Sequence, residues 1–388
     1  MVTNRVERHT WPAVRLGDVV LRHQEIIREP RAEGLHRFLL VEHMDRDRLR
    51  VARWGDIDSE ELPPTFYNAF RRGHVLYPSR NPHLRRTCRP NFDGICGEKT
   101  FVLQATEALS QDLLPFVLQS ERFIRHAVRM KIGSTNPHVR WRDIAAFEFK
   151  LPPPEHQAQI ASVLLALEDL LEFTEEFRGS IAALCSAHLN DFFAPRLDVA
   201  VPLPTVVRIE AGKTPTISRK EFWGGRFPWA SGKDLAVRQL LETEDSLTEL
   251  GWQHATVAPK GATLIVVRGM ILAHTFPVSQ CGTDVAFNQD VRALVASDAV
   301  DPDFLFLWAE WAGRWFLRRT SESSHGTKKL DVQVLREARL PVPPTPVQRT
   351  LVEDHSALRE GMNAVSLHLT QLRGLKKALL DELFGGTV

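Results

Sequence analysis

The chain has 388 residues, 43 % hydrophobic and 25 % charged, with 49 Lys and Arg against 48 Asp and Glu. These are ordinary globular proportions, so disordered, collagen-like and low-complexity classes are excluded, and the length suits two or three domains. No run of about 18 apolar residues argues for a transmembrane helix.

Met1 to Thr10 carries Arg5, Glu7 and Arg8 and lacks the apolar core of a signal peptide. A first globular part, 1–150, reads as mixed α and β. Lys99 to Leu103 has the composition of a strand, and Leu113 to Arg129 that of a helix. At 151–195 the pattern changes. Pro152, Pro153 and Pro154 cannot continue a preceding element and suit the start of a helix. Ile160, Val163, Leu167, Leu170, Thr174, Phe177, Ile181 and Leu184 then recur at alternating spacings of three and four, a seam repeating about every 3.5 residues. Glu168, Asp169, Glu172, Glu175 and Glu176 lie mainly off that seam.

A second globular part, 196–338, gives strands at Thr263 to Val267 and Val291 to Val295 and a helix at Asp303 to Arg318. The stretch 339–388 carries a second stripe: Leu351, Leu358, Met362, Val365, Leu369, Leu372, Leu379 and Leu383. Gly361 and Gly374 weaken it locally. Each helix would run roughly 58 Å at 1.5 Å per residue, longer than one domain's surface, so the two seams are expected to pair.

The sequence nearly repeats itself. Phe149-Lys150-Leu151-Pro152-Pro153-Pro154-Glu155-His156-Gln157 matches Leu340-Pro341-Val342-Pro343-Pro344-Thr345-Pro346-Val347-Gln348, and Gln157 and Gln348 lie 191 residues apart. The offset holds through Leu167 and Leu358, Leu189 and Leu380, and Phe193 and Phe384. Trp11-Pro12 resembles Leu203-Pro204, and Gly133-Ser134 resembles Gly326-Thr327. The reading is two copies of one unit, each a globular part followed by a helix.

The near-neutral total hides an uneven distribution. Residues 1–150 hold 25 basic and 19 acidic side chains, residues 151–195 hold one and seven, and the rest is close to balanced. Arg71 to Arg142 alone has 13 basic and 5 acidic residues. Local basic surface is what phosphate binding needs.

Known catalytic signatures are missing. There is no Walker A loop, GxGxxG, HExxH or GxSxG. Asn81-Pro82-His83 and Asn136-Pro137-His138 lack the second proline and the aromatic of an amino-methyltransferase motif. Asp93, Glu98 and Lys99 make a poor nuclease cluster, because adjacent Glu98 and Lys99 would point to opposite faces of a strand. His83, His254, His274 and His325 show no metal-ligand spacing, and no metal site is expected. Cys88, Cys96, Cys185 and Cys281 form no CxxC pair, so a zinc site or disulfide framework is not expected and a reducing cytoplasm fits.

The doubled Pro-Pro…Gln pattern resembles the specificity subunit of type I restriction-modification systems over essentially the whole chain. In that family it marks the passage from a target recognition domain into a conserved helix. Gly212-Lys213-Thr214-Pro215, Trp223-Gly224-Gly225, Pro228-Trp229, Asp234, Asn288-Gln289-Asp290 and Gly326-Thr327-Lys328-Lys329 are similar to stretches of such domains. Gly73-His74-Val75-Leu76-Tyr77-Pro78 looks like the family's strand after a glycine turn. The first part lacks the Gly-Lys-Thr-Pro stretch.

The resemblance implies two α/β target recognition domains, separated by two long helices in an antiparallel coiled coil with an internal pseudo-twofold repeat. It implies a non-catalytic subunit whose domains each read half of a bipartite, asymmetric double-stranded DNA site. The helices would set the spacing and dock methyltransferase subunits, two of them, and restriction subunits. No cofactor would bind this chain. S-adenosylmethionine would sit on the methyltransferase, and ATP and Mg on the endonuclease. The alternatives are a specificity subunit of a related restriction or phage-defence system with another catalytic partner, a self-sufficient restriction enzyme, and a coiled-coil interaction protein that does not read DNA.

Base reading and phosphate contact call for Arg, Lys and small polar residues on loops. The candidates are Arg71, Arg72, Arg80, Arg85, Arg86 and Ser134 in the first part, and Lys213, Thr214, Arg219, Lys220, Lys233, Lys328 and Lys329 in the second. Trp223 and Trp229 are assigned to the core. The candidate helix seam for pairing and partner docking is Ile160, Leu167, Leu170, Phe177, Ile181, Leu184, Leu358, Val365, Leu372 and Leu379.

Overall fold

The computed structural model describes residues 10–322 and 327–385. His325, Gly326 and the first nine residues lie outside the described residues. The chain divides into two compact units, Met1–Phe177 with Val365–Val388, and Arg178–Ala364. Each unit takes in part of both long helices, Pro154–Phe193 and Thr345–Phe384. No helix among the described residues is long and apolar enough to cross a membrane.

In the first unit, strand Thr100–Ala105 lies between Val20–His23 and Val75–Pro78, antiparallel to both. Val75–Pro78 is buried along its length and follows Gly73, whose φ of +90° suits a glycine turn. A second sheet has the order Glu25–Ile26, Phe66–Phe70, Gly94–Gly97, Arg37–Leu39, Gly55–Asp56. The expected helix from Leu113 is two helices, Leu114–Gln119 and Glu121–Met130. Ser120 is extended between them and accepts from the Phe123 N–H at 3.3 Å, capping the second.

In the second unit, Val291–Ala296 lies between Val207–Ala211 and Thr263–Val266, again antiparallel to both. The register also recurs. Val20 faces Ala105 as Val207 faces Ala296, and Val75 faces Leu103 as Thr263 faces Leu294. Helix Pro302–Leu317 starts with Pro302 in its first turn, after Asp301, which accepts from the Asp303 and Phe304 N–H groups at 2.9 and 3.3 Å. Trp229 is buried and Trp223 half-buried, with ring centroids 5.0 Å apart and Phe227 and Trp252 packed alongside.

Each helix is tied to its globular part by one buried glutamine. Gln157 Oε1 accepts from the Ser110 N–H at 2.6 Å, and its Nε2 donates to Ala108 O at 3.0 Å and Pro152 O at 2.9 Å. Gln348 Oε1 accepts from the Asp301 N–H at 2.8 Å, and its Nε2 donates to Ala299 O at 3.0 Å and Pro343 O at 2.7 Å. Every partner is displaced by the same 191 residues as the glutamines themselves.

The inward face of the first helix coincides with the expected seam only in part. Val163, Leu170 and Phe177 are exposed in the first unit, and Leu184 is exposed in the second. The side chains turned inward are Gln157, Ala161, Leu164, Leu167, Glu168, Leu171, Thr174 and Glu175, so Leu167 and Thr174 of the expected seam are among them. Leu167 and Leu171 pack with Leu369, Leu372 and Leu379, and Ile160 is half-buried against the first unit's core. Ile181, Leu358 and Val365 are half-buried. The expected series caught Leu167 and Thr174 and missed the rest of this face, because hydrophobic periodicity discounts carboxylates and two of the inward positions are glutamates. Glu168 meets Lys376, whose Nζ also donates to Asp47 O at 3.2 Å. Glu175 meets Arg48 and Arg373. Arg50 adds Asp169 at 2.5 Å and Glu172 at 3.1 Å. Burial raises the Glu168 carboxyl against the opposing pull of Lys376. The helix runs through Gly361 and Gly374, where an added Cβ would meet open space.

Gln348→Ala would empty a buried site and leave the half-buried Asp301 N–H and Pro343 carbonyl, and the carbonyl of exposed Ala299, without their protein partner. The expected cost is about 3 kcal/mol. Urea denaturation should show it as a lower midpoint with an unchanged m-value, and Gln157→Ala should behave alike.

Candidate nucleic-acid interface

In the second unit, the loop after strand Val207–Ala211 closes on the turn at residues 288–290. A Cβ on Gly212 would lie 2.0 Å from Asn288 O, so only glycine lets the two backbones approach this closely. The Lys213 N–H donates to Phe287 O at 2.9 Å, and Thr214 Oγ1 donates to Gln289 Oε1 at 2.5 Å. Asp290 O accepts from the Val267 N–H at 2.8 Å and the Arg268 N–H at 3.3 Å. Strand Arg268–Gly269 pairs with Lys328–Lys329, Arg268 facing Lys329 and Gly269 facing Lys328. Arg292 Nη1 donates to Gln289 O at 2.8 Å. The fold thus gathers Lys213, Thr214, Arg268, Gln289, Arg292, Lys328 and Lys329 around one turn.

Other candidates of this unit stand differently. Lys233 is held by Glu244 at 2.9 Å and Asp245 at 3.0 Å, and these carboxylates push its ammonium pKa up. Arg219 and Lys220 are exposed at the start of the short 3-10 turn Lys220–Phe222, with Arg219 over the Phe222 ring. Lys328 reaches Glu322 at 3.2 Å, while Lys329 is exposed.

The first unit has a similar turn between strands Gly94–Gly97 and Thr100–Ala105. Ser79 donates to Lys99 O through both N–H and Oγ, each at 2.7 Å. Arg80 is exposed and bridges to His138, and the loop holding exposed Ser134 closes through the Ile132–His138 bridge. Arg80, Lys99 and Ser134 therefore belong to one region. Glu98 and Lys99 sit in a turn rather than a strand, and their side chains meet at 3.1 Å instead of pointing to opposite faces. Tyr67 Oη donates to Glu98 Oε2 at 2.9 Å. Lys99 first, and then Tyr67, hold the Glu98 carboxyl below the usual range.

Four arginines of the first set fall elsewhere. Arg71 is paired with Glu25 and lies 3.5 Å from Asp93. Arg72 is exposed, with its N–H donating to Asp93 at 2.7 Å. Arg85 is pinned between Asp47 and Glu121, both at 2.7 Å, and is largely buried. Arg86 donates to Val41 O at 3.1 Å. Lys99, Arg268, Gln289 and Arg292 were absent from the sequence-based set. The 191-residue offset, carried back from Asn288-Gln289-Asp290 to Gly97-Glu98-Lys99, is the signal that would have found the turns.

Such surfaces combine cations that suit phosphates with amide, hydroxyl and carboxylate groups that suit base edges. No family model matches the chain. It is 28 % identical over 145 residues, 37 % of its length, to the specificity subunit of the type I restriction enzyme EcoR124I/EcoR124II of Escherichia coli. It is 28 % identical over 141 residues, 35 % of its length, to the MjaIX specificity subunit of Methanocaldococcus jannaschii. The matched regions span about a third of each relative, 36 % and 32 %. Among solved structures, a chain from a study of complex assembly and conformational transition of the type I R-M system aligns with TM-score 0.63 at 20 % identity, covering 96 % of this chain and 97 % of that one. The S subunit of a type I restriction-modification system from M. genitalium aligns with TM-score 0.58 at 14 % identity, over 100 % and 99 %. This chain has the fold of a type I specificity subunit.

Gly212→Ala should displace the 288–290 turn and lower stability by about 2 kcal/mol. Gly232→Ala, where the nearest atom to the new Cβ is 3.6 Å away, should change it by less than about 0.5 kcal/mol. Urea midpoints of the two variants check the difference.

Proposed function

We propose that this chain is the DNA-recognition subunit of a type I restriction-modification complex. The observation that carries the reading is the twice-built turn. One unit presents Arg80, Lys99 and Ser134 around Glu98, and the other presents Lys213, Arg268, Lys328 and Lys329 around Gln289. Both follow the same strand order and the same glutamine tie. A duplicated unit with unlike residues at its turns suits a split, asymmetric site, one half read by each recognition domain.

In this reading the two helices form an antiparallel coiled coil related by a pseudo-twofold repeat, and they act as a spacer between half-sites. Within the first unit, Val163, Leu170 and Phe177 recur every seven residues on the exposed side of the first helix, and the Phe173 and Phe177 rings stack at 6.4 Å. An apolar stripe of this kind is costly to leave in water and suits a partner helix. The methyltransferase subunits are the proposed occupants, with restriction subunits joining the assembly. S-adenosylmethionine would be bound by the methyltransferase, and ATP and Mg by the endonuclease. This chain supplies recognition and placement, and no catalytic residue.

The test is a modified-base map of a host carrying the complex, with and without this chain. The expected result is a bipartite motif that vanishes on deletion, whereas an unchanged map overturns the proposal. In the purified complex, Lys328→Glu with Lys329→Glu should weaken DNA binding across all sequences and flatten the salt slope by about 2. Lys233→Glu should leave that slope unaltered.

A further inference from the structure

Two large apolar side chains stand in water beside the basic surface of the second unit. Met270 is 73 % exposed and Ile271 49 %. Both belong to the short 3-10 turn Met270–Ala273, which follows strand Arg268–Gly269 and runs beside strand Lys328–Lys329. The turn is anchored. Leu272 is buried in one cluster with Leu264 and Val266, and Ile271 O accepts from the His274 and Thr275 N–H groups at 3.1 and 3.0 Å. With Leu272 committed to the core, Met270 and Ile271 form a fixed apolar tip, so little entropy is lost when it docks.

The surroundings of the tip say what it meets. Arg268 and Lys329 face each other across the strand pair, both exposed, and neither side chain has an ionic partner among the described residues. An apolar protein surface laid over the tip would desolvate those cations without compensation. A polyanion that also offers an apolar group suits both. Duplex DNA is such a partner: phosphates border the major groove, and the thymine C5-methyl is the one apolar group among the base edges inside it. We propose that Met270 and Ile271 are specificity-determining residues that pack on a thymine methyl in the half-site of the second unit, while Arg268 and Lys329 hold phosphates. The inference rests on the DNA-recognition reading above. Neither Met270 nor Ile271 lies in a stretch by which the chain resembles other recognition domains, whereas Lys328 and Lys329 do, as befits groups that meet the phosphates of any sequence.

The first unit builds the same turn with other chemistry. Strands Val75–Pro78 and Thr263–Val266 pair with the central strands in the same register, and in each unit a 3-10 turn begins seven residues after the strand does, at Pro82 or Met270. There Pro82 is buried and the exposed residue is His83. The apolar tip is therefore a feature of the second unit, and its effect belongs to one half-site.

The experiment measures binding of the purified complex, this chain with its modification subunits, to duplexes of its mapped site in which each thymine in turn is replaced by uracil. Uracil keeps the pairing edge and removes only the methyl. One replacement, in one half-site, should weaken binding by the unaltered complex about fourfold, the worth of one buried carbon. That penalty should vanish in Met270→Ala with Ile271→Ala and in Met270→Gln, while thymines of the other half-site respond alike in all complexes. The proposal is overturned if no uracil weakens the unaltered complex, or if the penalty persists in both variants. It is overturned in favour of a base-step wedge if the variants alter DNA bending and uracil has no effect. It is overturned in favour of a protein contact if the variants lose the modification subunits and keep the penalty. Failure of the underlying reading looks different, because the unaltered complex would then prefer no sequence at all.

Discussion

Two glutamine amides fix how each long helix leaves its globular part. A helix that begins at a proline cluster has lost backbone donors, and its first turn can pivot on the preceding loop. Gln157 and Gln348 remove that freedom by bonding simultaneously to the proline segment and to the loop before the next helix of their own unit. Both glutamine side chains are buried, while the loop residues they hold, Ala108 and Ala299, lie at the surface. If the helices measure the distance between two half-sites, these amides are where that distance is transmitted to the domains that read them.

Charge adds a second tie in the first unit. The acidic stretch of the first helix is only partly a solvated face. Glu168, Asp169, Glu172 and Glu175 face Arg48 and Arg50 of a domain loop and Arg373 and Lys376 of the second helix. Of these pairs only Glu168 with Lys376 is buried on both sides; such a pair gains little net stability, yet removing one partner strands the other and costs about 3 kcal/mol or more. Their contribution is therefore to orientation. In the second unit the corresponding helix ends stack His188 on His355, with centroids 5.9 Å apart, and burial followed by Arg238 depresses the His355 pKa to about 4. The two ties differ in chemistry as the two turns do.

Much of this was legible in the sequence, for identifiable reasons. The Pro-Pro…Gln spacing located both helices, because proline and the following apolar stripe are local signals. Strands at 100–105, 263–266 and 291–296 were visible as β-branched and apolar runs. The stripes were right at Leu167, Thr174, Leu369 and Leu372 and incomplete elsewhere, because two inward positions are glutamates whose partners lie far along the chain, and hydropathy treats a carboxylate as if it faced water. Among site residues, composition cannot separate Arg85, spent on Asp47 and Glu121, from Arg80, which stays exposed. Gln289 stood out in the sequence only as part of Asn288-Gln289-Asp290, and its place beside Thr214 follows from the fold.

Hydroxyl-radical footprinting of the assembled complex on its modified site tests the central claim most directly. The account gives two protected patches of unlike sequence separated by an unprotected gap, with the gap constant across sites that differ only between the patches. One continuous patch, or protection by one unit alone, would contradict it.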